Sequence, residues 1–109
     1  MKEKEFTKEY LKKLKNKWYW CFKIPDVWYT LKPCDIVAWK DWKLYWIEIK
    51  VWRVNTYERI YKKLRPNQVG SLYKIQQAWW KSLLVWYDTK DKKEYEYEFK
   101  LLDEVNNEL

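Results

Sequence analysis

The chain has 109 residues, with 10 Trp, 10 Tyr, one Gly and no His, and its 23 Lys and Arg against 16 Asp and Glu give a net charge of +7. Without histidine, Ser-His-Asp and Cys-His nucleophile systems and His-ligated zinc or haem are excluded. Carboxylates, lysines and hydroxyls are left for catalysis. The positive charge favours polyanionic partners such as nucleic acid, although heat-adapted proteins that bind none are often equally basic.

The length predicts a single domain over residues 1–109. The longest mainly apolar run, Tyr45 to Val51, is far shorter than the roughly 20 residues of a membrane span, so we expect no membrane segment. The N-terminal Met1–Glu5 does not resemble a secretory signal, which predicts a cytoplasmic location. Cys21 and Cys34 lie in apolar surroundings, and we expect them to be buried, reduced thiols.

The first half of the chain has the pattern of one helix followed by three strands. Phe6, Tyr10 and Leu14 recur at helical spacing among Lys and Glu residues. The predicted segments are a helix at Lys2–Asn16, a strand at Trp18–Ile24, a loose segment at Val27–Pro33, a strand at Asp35–Trp39, a hairpin turn at Lys40–Lys43 and a strand at Leu44–Val51. Because the turn is so short, the second and third strands should be antiparallel.

The second half predicts a helix and two more strands. Trp52–Arg65 fits either a loop or a short helix. Pro66 suits the first turn of a helix, and the apolar spacing continues that helix to Lys81. Ser82–Tyr87 is a nearly continuous apolar strand, and alternating aromatic and charged residues from Glu94 to Leu101 predict a fifth strand with one face in water. The tail, Asp103–Leu109, is frayed or a short helix. The intervening helix would make the third and fourth strands parallel.

Two charges interrupt the apolar third strand. Glu48 and Lys50 are two residues apart, so both side chains lie on the same face of the sheet. One explanation is an edge strand with this face in water. The other is a functional site, because Asp35 begins the neighbouring strand, and a hairpin would place it across from Glu48. Two converging carboxylates suit a hard divalent cation such as Mg²⁺, whereas Asp35 could also simply begin a strand after Pro33.

These residues resemble a known signature. Lys32–Trp39, a short turn and then Trp46–Lys50 are similar to the PD-(D/E)XK nuclease motif: a proline, an Asp at a turn, two hydrophobic strands and Glu-x-Lys. The size and element order are most similar to archaeal-type and viral Holliday junction resolvases. The resemblance implies an α/β, restriction-endonuclease-like core, with a mixed five-stranded sheet flanked by helices in the order α-β-β-β-α-β-β.

The resemblance also implies metal-dependent hydrolysis of phosphodiester bonds. Asp35 and Glu48 would hold Mg²⁺ or Mn²⁺, with the backbone carbonyl of Ile49 as a further ligand. Lys50 would position the attacking water or help to deprotonate it.

Two further site residues are implied by the same resemblance. Related resolvases carry a glutamate in the first helix, for which Glu9 is the best match and Glu5 the competitor. Gln68 matches a helix-opening glutamine that lies beside the metal site in related nucleases. Each of these residues could equally be a plain polar residue on a helix surface.

The function expected from this resemblance is a structure-selective DNA endonuclease, a Holliday junction resolvase acting on four-way DNA as a homodimer. A nicking or restriction-like nuclease and a non-catalytic DNA-binding domain are the alternatives. The many aromatic residues could supply a dimer surface. Candidate contacts to the DNA backbone are Lys12, Lys13, Lys15, Lys17, Arg53, Arg59, Lys62, Lys63 and Arg65.

Overall fold

The computed structural model describes residues 1–25 and 34–102 and shows a five-stranded sheet with helices packed on it. The elements are α1 (Glu3–Asn16), β1 (Trp20–Lys23), β2 (Ile36–Lys40), β3 (Lys43–Trp52), α2 (Tyr57–Tyr61), α3 (Pro66–Gln77), β4 (Lys81–Asp88) and β5 (Lys93–Glu98). The segments predicted at Val27–Pro33 and Asp103–Leu109 lie outside the described residues. No helix in the described part is both long and apolar enough to cross a bilayer.

The strands lie side by side in their order along the chain, from β1 to β5. β1 with β2, β2 with β3, and β4 with β5 are antiparallel, whereas β3 and β4 are parallel, as the predicted helical crossover requires. β3 is therefore the central strand. The edge-strand explanation for Glu48 and Lys50 is wrong, because β3 has a paired strand on each side.

Helices cover the two faces of the sheet unequally. On the first face, α1 packs through residues such as Phe6 onto Ile36, Ile47 and Ile49, which are almost fully buried. On the second face, α2 and α3 pack on β4 and β5, where Trp86 is fully buried. The second face of β1 and β2 has no helix over it among the described elements, so aromatic side chains there stay exposed.

The predicted hairpin between the second and third strands is confirmed. Ile36 pairs with Ile47 and Lys40 with Lys43, so the connecting turn consists of Asp41 and Trp42 alone. Both turn residues have positive φ, 53° and 64°, which is the conformation of the tight turns that match the twist of a hairpin.

α3 is shorter than its apolar pattern predicts, since it ends at Gln77 and not at Lys81. Trp79 turns the chain with φ 69°, its N–H donates to the carbonyl of Gln76, and the N–H of Trp80 donates to the carbonyl of Ile75. These two bonds close the helix end and leave Trp79 and Trp80 outside the helix. Lys81 then begins β4.

The unassigned segment before α3 contains a short helix, α2. Thr56 caps it, because its side-chain oxygen accepts a hydrogen bond from the N–H of Arg59 at 3.3 Å. Ile60 anchors α2 in the core and is fully buried.

β5 ends at Glu98, three residues before its predicted end. Beyond it, the hydroxyl of Tyr57 donates to the carbonyl of Lys100 at 2.6 Å and accepts from the N–H of the same residue at 2.8 Å. The backbone groups of Lys100 thus bond to a side chain of α2 and not to a neighbouring strand. Of the two thiols, Cys34 is buried as expected, Cys21 is half-buried, and both are free.

Candidate active site

Asp35 lies immediately before β2 and is held on both sides by the sheet. Its N–H donates to the carbonyl of Ile47 at 3.0 Å, and its carbonyl accepts from the N–H of Ile24 at 2.9 Å. Its side-chain Oδ2 accepts from the N–H of Ile49 at 2.7 Å. A charge-assisted bond of this kind fixes the carboxylate against β3 before any ligand arrives.

Glu48 is a carboxyl buried in the middle of β3, with only 3% of its surface exposed. Burial, followed by the negative charge of Asp35, raises the pKa of Glu48, whereas the ammonium of Lys50 acts in the opposite direction. A hydrogen bond between the side chains of Asp35 and Glu48 raises this pKa further. The predicted convergence of the two carboxyl groups is therefore present in the fold.

Gln68 connects the start of α3 to Glu48. Its Nε2 donates to Glu48 Oε1 at 2.8 Å, and its Oε1 accepts from the N–H of Arg65 at 2.9 Å. The second bond satisfies an N–H at the helix start that would otherwise have no partner in the helix. The amide is thus held at both ends and orients the Glu48 carboxyl.

Lys50 lies two residues beyond Glu48 on the same face of β3, at the wall of a cavity of about 200 Å³. Glu3 of α1 and Lys63 also line this cavity. The negative charge of Glu3 contributes to the raised pKa of Glu48. The cavity therefore places a lysine and a further glutamate beside the carboxylate pair.

The helix glutamate near Glu48 is Glu3, not the predicted Glu9 or Glu5. Both predicted residues are exposed, and neither is among the groups that shift the pKa of Glu48. Glu3 is one helical turn before Phe6, on the face of α1 that packs against the sheet. This shared face was the signal in the sequence that could have identified it.

The residues present fit a hard divalent cation. Asp35 and Glu48 offer converging oxygen atoms, and a cation between them would replace the proton that two close carboxyl groups otherwise share. Within residues 1–25 and 34–102, no group of three or more acidic or cysteine side chains is arranged to hold a metal. A metal here would therefore also need backbone, water or phosphate oxygens, and the carbonyl of Ile49 stays a prediction for that role.

No protein-family model and no curated protein matches the chain. A solved structure does match: Hjc from Archaeoglobus fulgidus, described as a Holliday junction resolvase from an archaeal hyperthermophile. The TM-score is 0.65 over 86% of this chain and 73% of that one, at 18% sequence identity. This chain has the fold of that resolvase. The predicted restriction-endonuclease-like class, a mixed five-stranded sheet flanked by helices, is thereby confirmed. The resolvase fold brings Asp35, Glu48, Lys50 and Gln68 together between β2, β3 and α3.

Proposed function

We propose that the chain is a metal-dependent, structure-selective DNA endonuclease that hydrolyses phosphodiester bonds in four-way junctions. The observation that carries this proposal is the buried Glu48 carboxyl beside the half-buried Asp35, followed by Lys50, on a resolvase fold. Burying one carboxyl beside another destabilises a protein unless a ligand compensates. A divalent cation bound between the two carboxyl groups would supply that compensation.

The chain's own residues divide the chemistry between them. Asp35 and Glu48, with the carbonyl of Ile49, would hold Mg²⁺ or Mn²⁺, which supplies a water of lowered pKa and neutralises charge on the phosphate. The ammonium of Lys50 orients the attacking water and stabilises the negative charge that develops on the phosphate oxygens. Gln68 keeps the Glu48 carboxylate in position through its 2.8 Å bond.

A basic groove of about 320 Å³ leads away from the site and supports DNA as the substrate. Its walls combine Trp52 with four cationic side chains, namely Arg53, Arg59, Lys62 and Lys63. Trp52 and Lys63 also line the cavity that contains Lys50, so the two spaces adjoin. We assign the groove to the phosphate backbone, whose recognition by Lys and Arg is independent of sequence.

The predicted lysines of α1, Lys12, Lys13 and Lys15, lie toward the other end of the helix from Glu3, which lines the Lys50 cavity. α1 packs on the other face of the sheet from Glu48, and Lys13 there forms an ion pair with Glu94 at 3.0 Å. We therefore leave the helix lysines out of the DNA path.

We also propose that two copies of the chain act together. Each chain supplies one site, whereas resolving a four-way junction requires two symmetric cuts. A two-fold symmetric dimer matches the two-fold symmetry of that substrate.

The test compares cleavage of labelled four-way junctions, linear duplex and single strands, with Mg²⁺ or with EDTA. We expect paired symmetric nicks confined to the junction, dependent on Mg²⁺, from a protein whose mass by light scattering is that of a dimer. Asp35→Asn and Glu48→Gln keep the shape of the side chains and should each slow cleavage by roughly a thousandfold. Asp91→Asn, in the exposed turn between β4 and β5, is the matched control.

The other outcomes separate the alternatives. Equal cutting of plain duplex would replace the resolvase proposal with a nicking or restriction-like nuclease that uses the same residues. DNA binding by the wild type without metal-dependent cleavage would contradict both enzymatic proposals. It would leave a DNA-binding domain that has the resolvase fold.

A further inference from the structure

A second groove, of about 580 Å³, opens near the hairpin turn of the sheet. Four tryptophans line it together with Lys40 and Asp41: Trp18, Trp20, Trp39 and Trp42. Their exposed fractions run from 53% for Trp39 to 95% for Trp42. We call these four residues the tryptophan groove. A patch of large apolar side chains with this exposure often indicates a surface that binds another molecule.

Two of the rings occupy backbone positions that tryptophan does not favour. Trp18 closes α1 with φ 68°, and Trp42 completes the hairpin turn with φ 64°. Glycine or asparagine is usual at such positions, since an L side chain there costs about 1 kcal/mol. Trp18 and Trp42 are 86% and 95% exposed, so burial offsets little of this cost. Trp79 has the same backbone conformation and exposure, so what distinguishes Trp18 and Trp42 is that both line one groove.

The other two rings place the groove on the face of the sheet that carries the active site. Trp20 and Trp39 are cross-strand partners on the uncovered second face. Trp39 in turn pairs with Leu44, which lies four residues before Glu48 on the same face of β3. At the usual rise of a strand this spacing is about 13 Å, so one flexible nucleic-acid strand could reach both places.

Two lysines and one aspartate lie at the groove. The ammonium of Lys40 donates to the carbonyl of Lys17 at 2.7 Å and lies 5.0 Å from the centre of the Tyr19 ring. Lys43 follows Trp42 and is exposed, and Asp41 is the acidic residue of the lining. Flat exposed rings interleaved with lysines match the chemistry of a single strand, whose bases stack and whose phosphates are negative.

We propose that the tryptophan groove binds unpaired bases of single-stranded DNA by stacking. The inference rests on the proposed function only in placing that strand next to the cleaved bond. A nuclease with this groove would prefer branched substrates that carry an unpaired segment near the branch point over fully paired ones.

The experiment measures binding in EDTA of two fluorescent strands of equal length, an oligothymidylate and an abasic sugar-phosphate strand. Trp18→Gly and Trp42→Gly suit the test because glycine fits the backbone at both positions. Each should weaken oligothymidylate binding about tenfold and leave abasic-strand binding unchanged, because only the stacking partner is lost. Trp79→Gly is the matched control: this residue also has positive φ and is 95% exposed, but it lies outside the groove, and its removal should alter neither affinity.

Three results would overturn the inference. Unchanged oligothymidylate binding in both groove variants would exclude stacking. Equal losses of affinity for the oligothymidylate and the abasic strand would mean that the groove contacts only the sugar-phosphate backbone of the DNA. A drop from dimer to monomer in Trp42→Gly, with oligothymidylate affinity intact, would assign the groove to a second copy of the chain. Ring-dependent binding without any junction cleavage would contradict the proposed function alone.

Discussion

Glu48 is held where the charged form of its side chain is disfavoured. It is 3% exposed, and the charges of Asp35 and Glu3 add to the effect of burial in raising its pKa. Lys50 provides an opposing charge, and the side chains of Gln68 and Asp35 each form a hydrogen bond with that of Glu48. A carboxyl in this position costs folding stability whenever it ionises without a cation, so folding stability and the proposed catalytic role make opposite demands on Glu48.

The first prediction at this scale is a pH-dependent gain of stability in Glu48→Gln. A pKa that is higher in the folded than in the unfolded state gives stability that is complete below the ordinary glutamate pKa and declines as the pH rises above it. The amide that replaces the carboxyl does not titrate. In EDTA, the free energy of unfolding of the variant should therefore rise relative to that of the wild type, by up to about 1.4 kcal/mol for each pH unit above the ordinary glutamate pKa. Thermal unfolding between pH 5 and pH 8 measures this difference, because most proteins are folded and stable across roughly that range.

Glu58→Gln is the control for this experiment, because Glu58 is an exposed carboxyl on α2. Its unfolding temperature should follow that of the wild type at every pH. If the unfolding temperatures of Glu48→Gln and the wild type changed with pH in the same way, the ionisation of Glu48 would not be linked to folding.

At the scale of the element, one side chain at the start of α3 both caps the helix and binds a carboxyl of the candidate site. Gln68 satisfies the N–H of Arg65 in the first helical turn and at the same time holds Glu48. Pro66 begins this turn, and its missing N–H requires no partner there. The position of the helix start is therefore tied to the orientation of a carboxylate in the site.

Gln68→Ala tests this link as a change in metal requirement. Loss of a partner that orients a ligand weakens metal binding, so the Mg²⁺ concentration that gives half-maximal cleavage should rise about tenfold. The cleavage rate at saturating Mg²⁺ should change less. Gln77→Ala, at the exposed end of the same helix, should leave the Mg²⁺ dependence as it is. A loss of rate with an unchanged Mg²⁺ dependence would contradict the positioning role.

The placement of Asp35, Glu48 and Lys50 in the sheet was easier to predict from the sequence than the ends of the helices. The spacing of Glu48 and Lys50 and the hairpin from Asp35 depend on the two-residue period of strands, which is hard to escape. The end of α3 was missed because Trp79 and Trp80 continue the apolar spacing, and no rule assigns a positive φ to tryptophan. Glu3 was missed because Glu9 was chosen for its place upstream of Asp35, although helical spacing puts Glu3 on the same face of α1 as Phe6.

For the whole molecule, the net charge of +7 is unevenly distributed. On the α1 side of β5, Glu94 pairs with Lys13, and Glu96 accepts a hydrogen bond from the hydroxyl of Tyr10. On the other side, arginines and lysines collect around Trp52, where the described lining contains no acidic residue. Part of the excess positive charge thus lies beside the candidate site, which suits the binding of a polyanion.

This distribution predicts a difference in salt dependence. Arg59→Ala removes one cation from the groove around Trp52, so the slope of log affinity against log salt for a four-way junction should become shallower by about 1. Lys12→Ala removes an equal charge from the exposed surface of α1 and should leave the slope unchanged. The measurement is fluorescence anisotropy in EDTA at several salt concentrations. Equal slopes for the two variants would indicate a diffuse charge effect without a defined groove.

The chain's use of glycine has a consequence for engineering. Its one glycine, Gly70, lies within α3, and a Cβ added there would meet no atom within 4 Å beyond its chain neighbours and the nearby backbone of its own helix. By contrast, Trp79 and Lys92 adopt the positive φ that glycine favours. Alanine at Gly70 would improve helix propensity by about 1 kcal/mol, and glycine at Trp79 or Lys92 would relieve a comparable strain. These positions lie outside the candidate site and the tryptophan groove. Changed at these positions, the protein would be a more stable parent in which destabilising substitutions at the candidate site could be studied in the folded state.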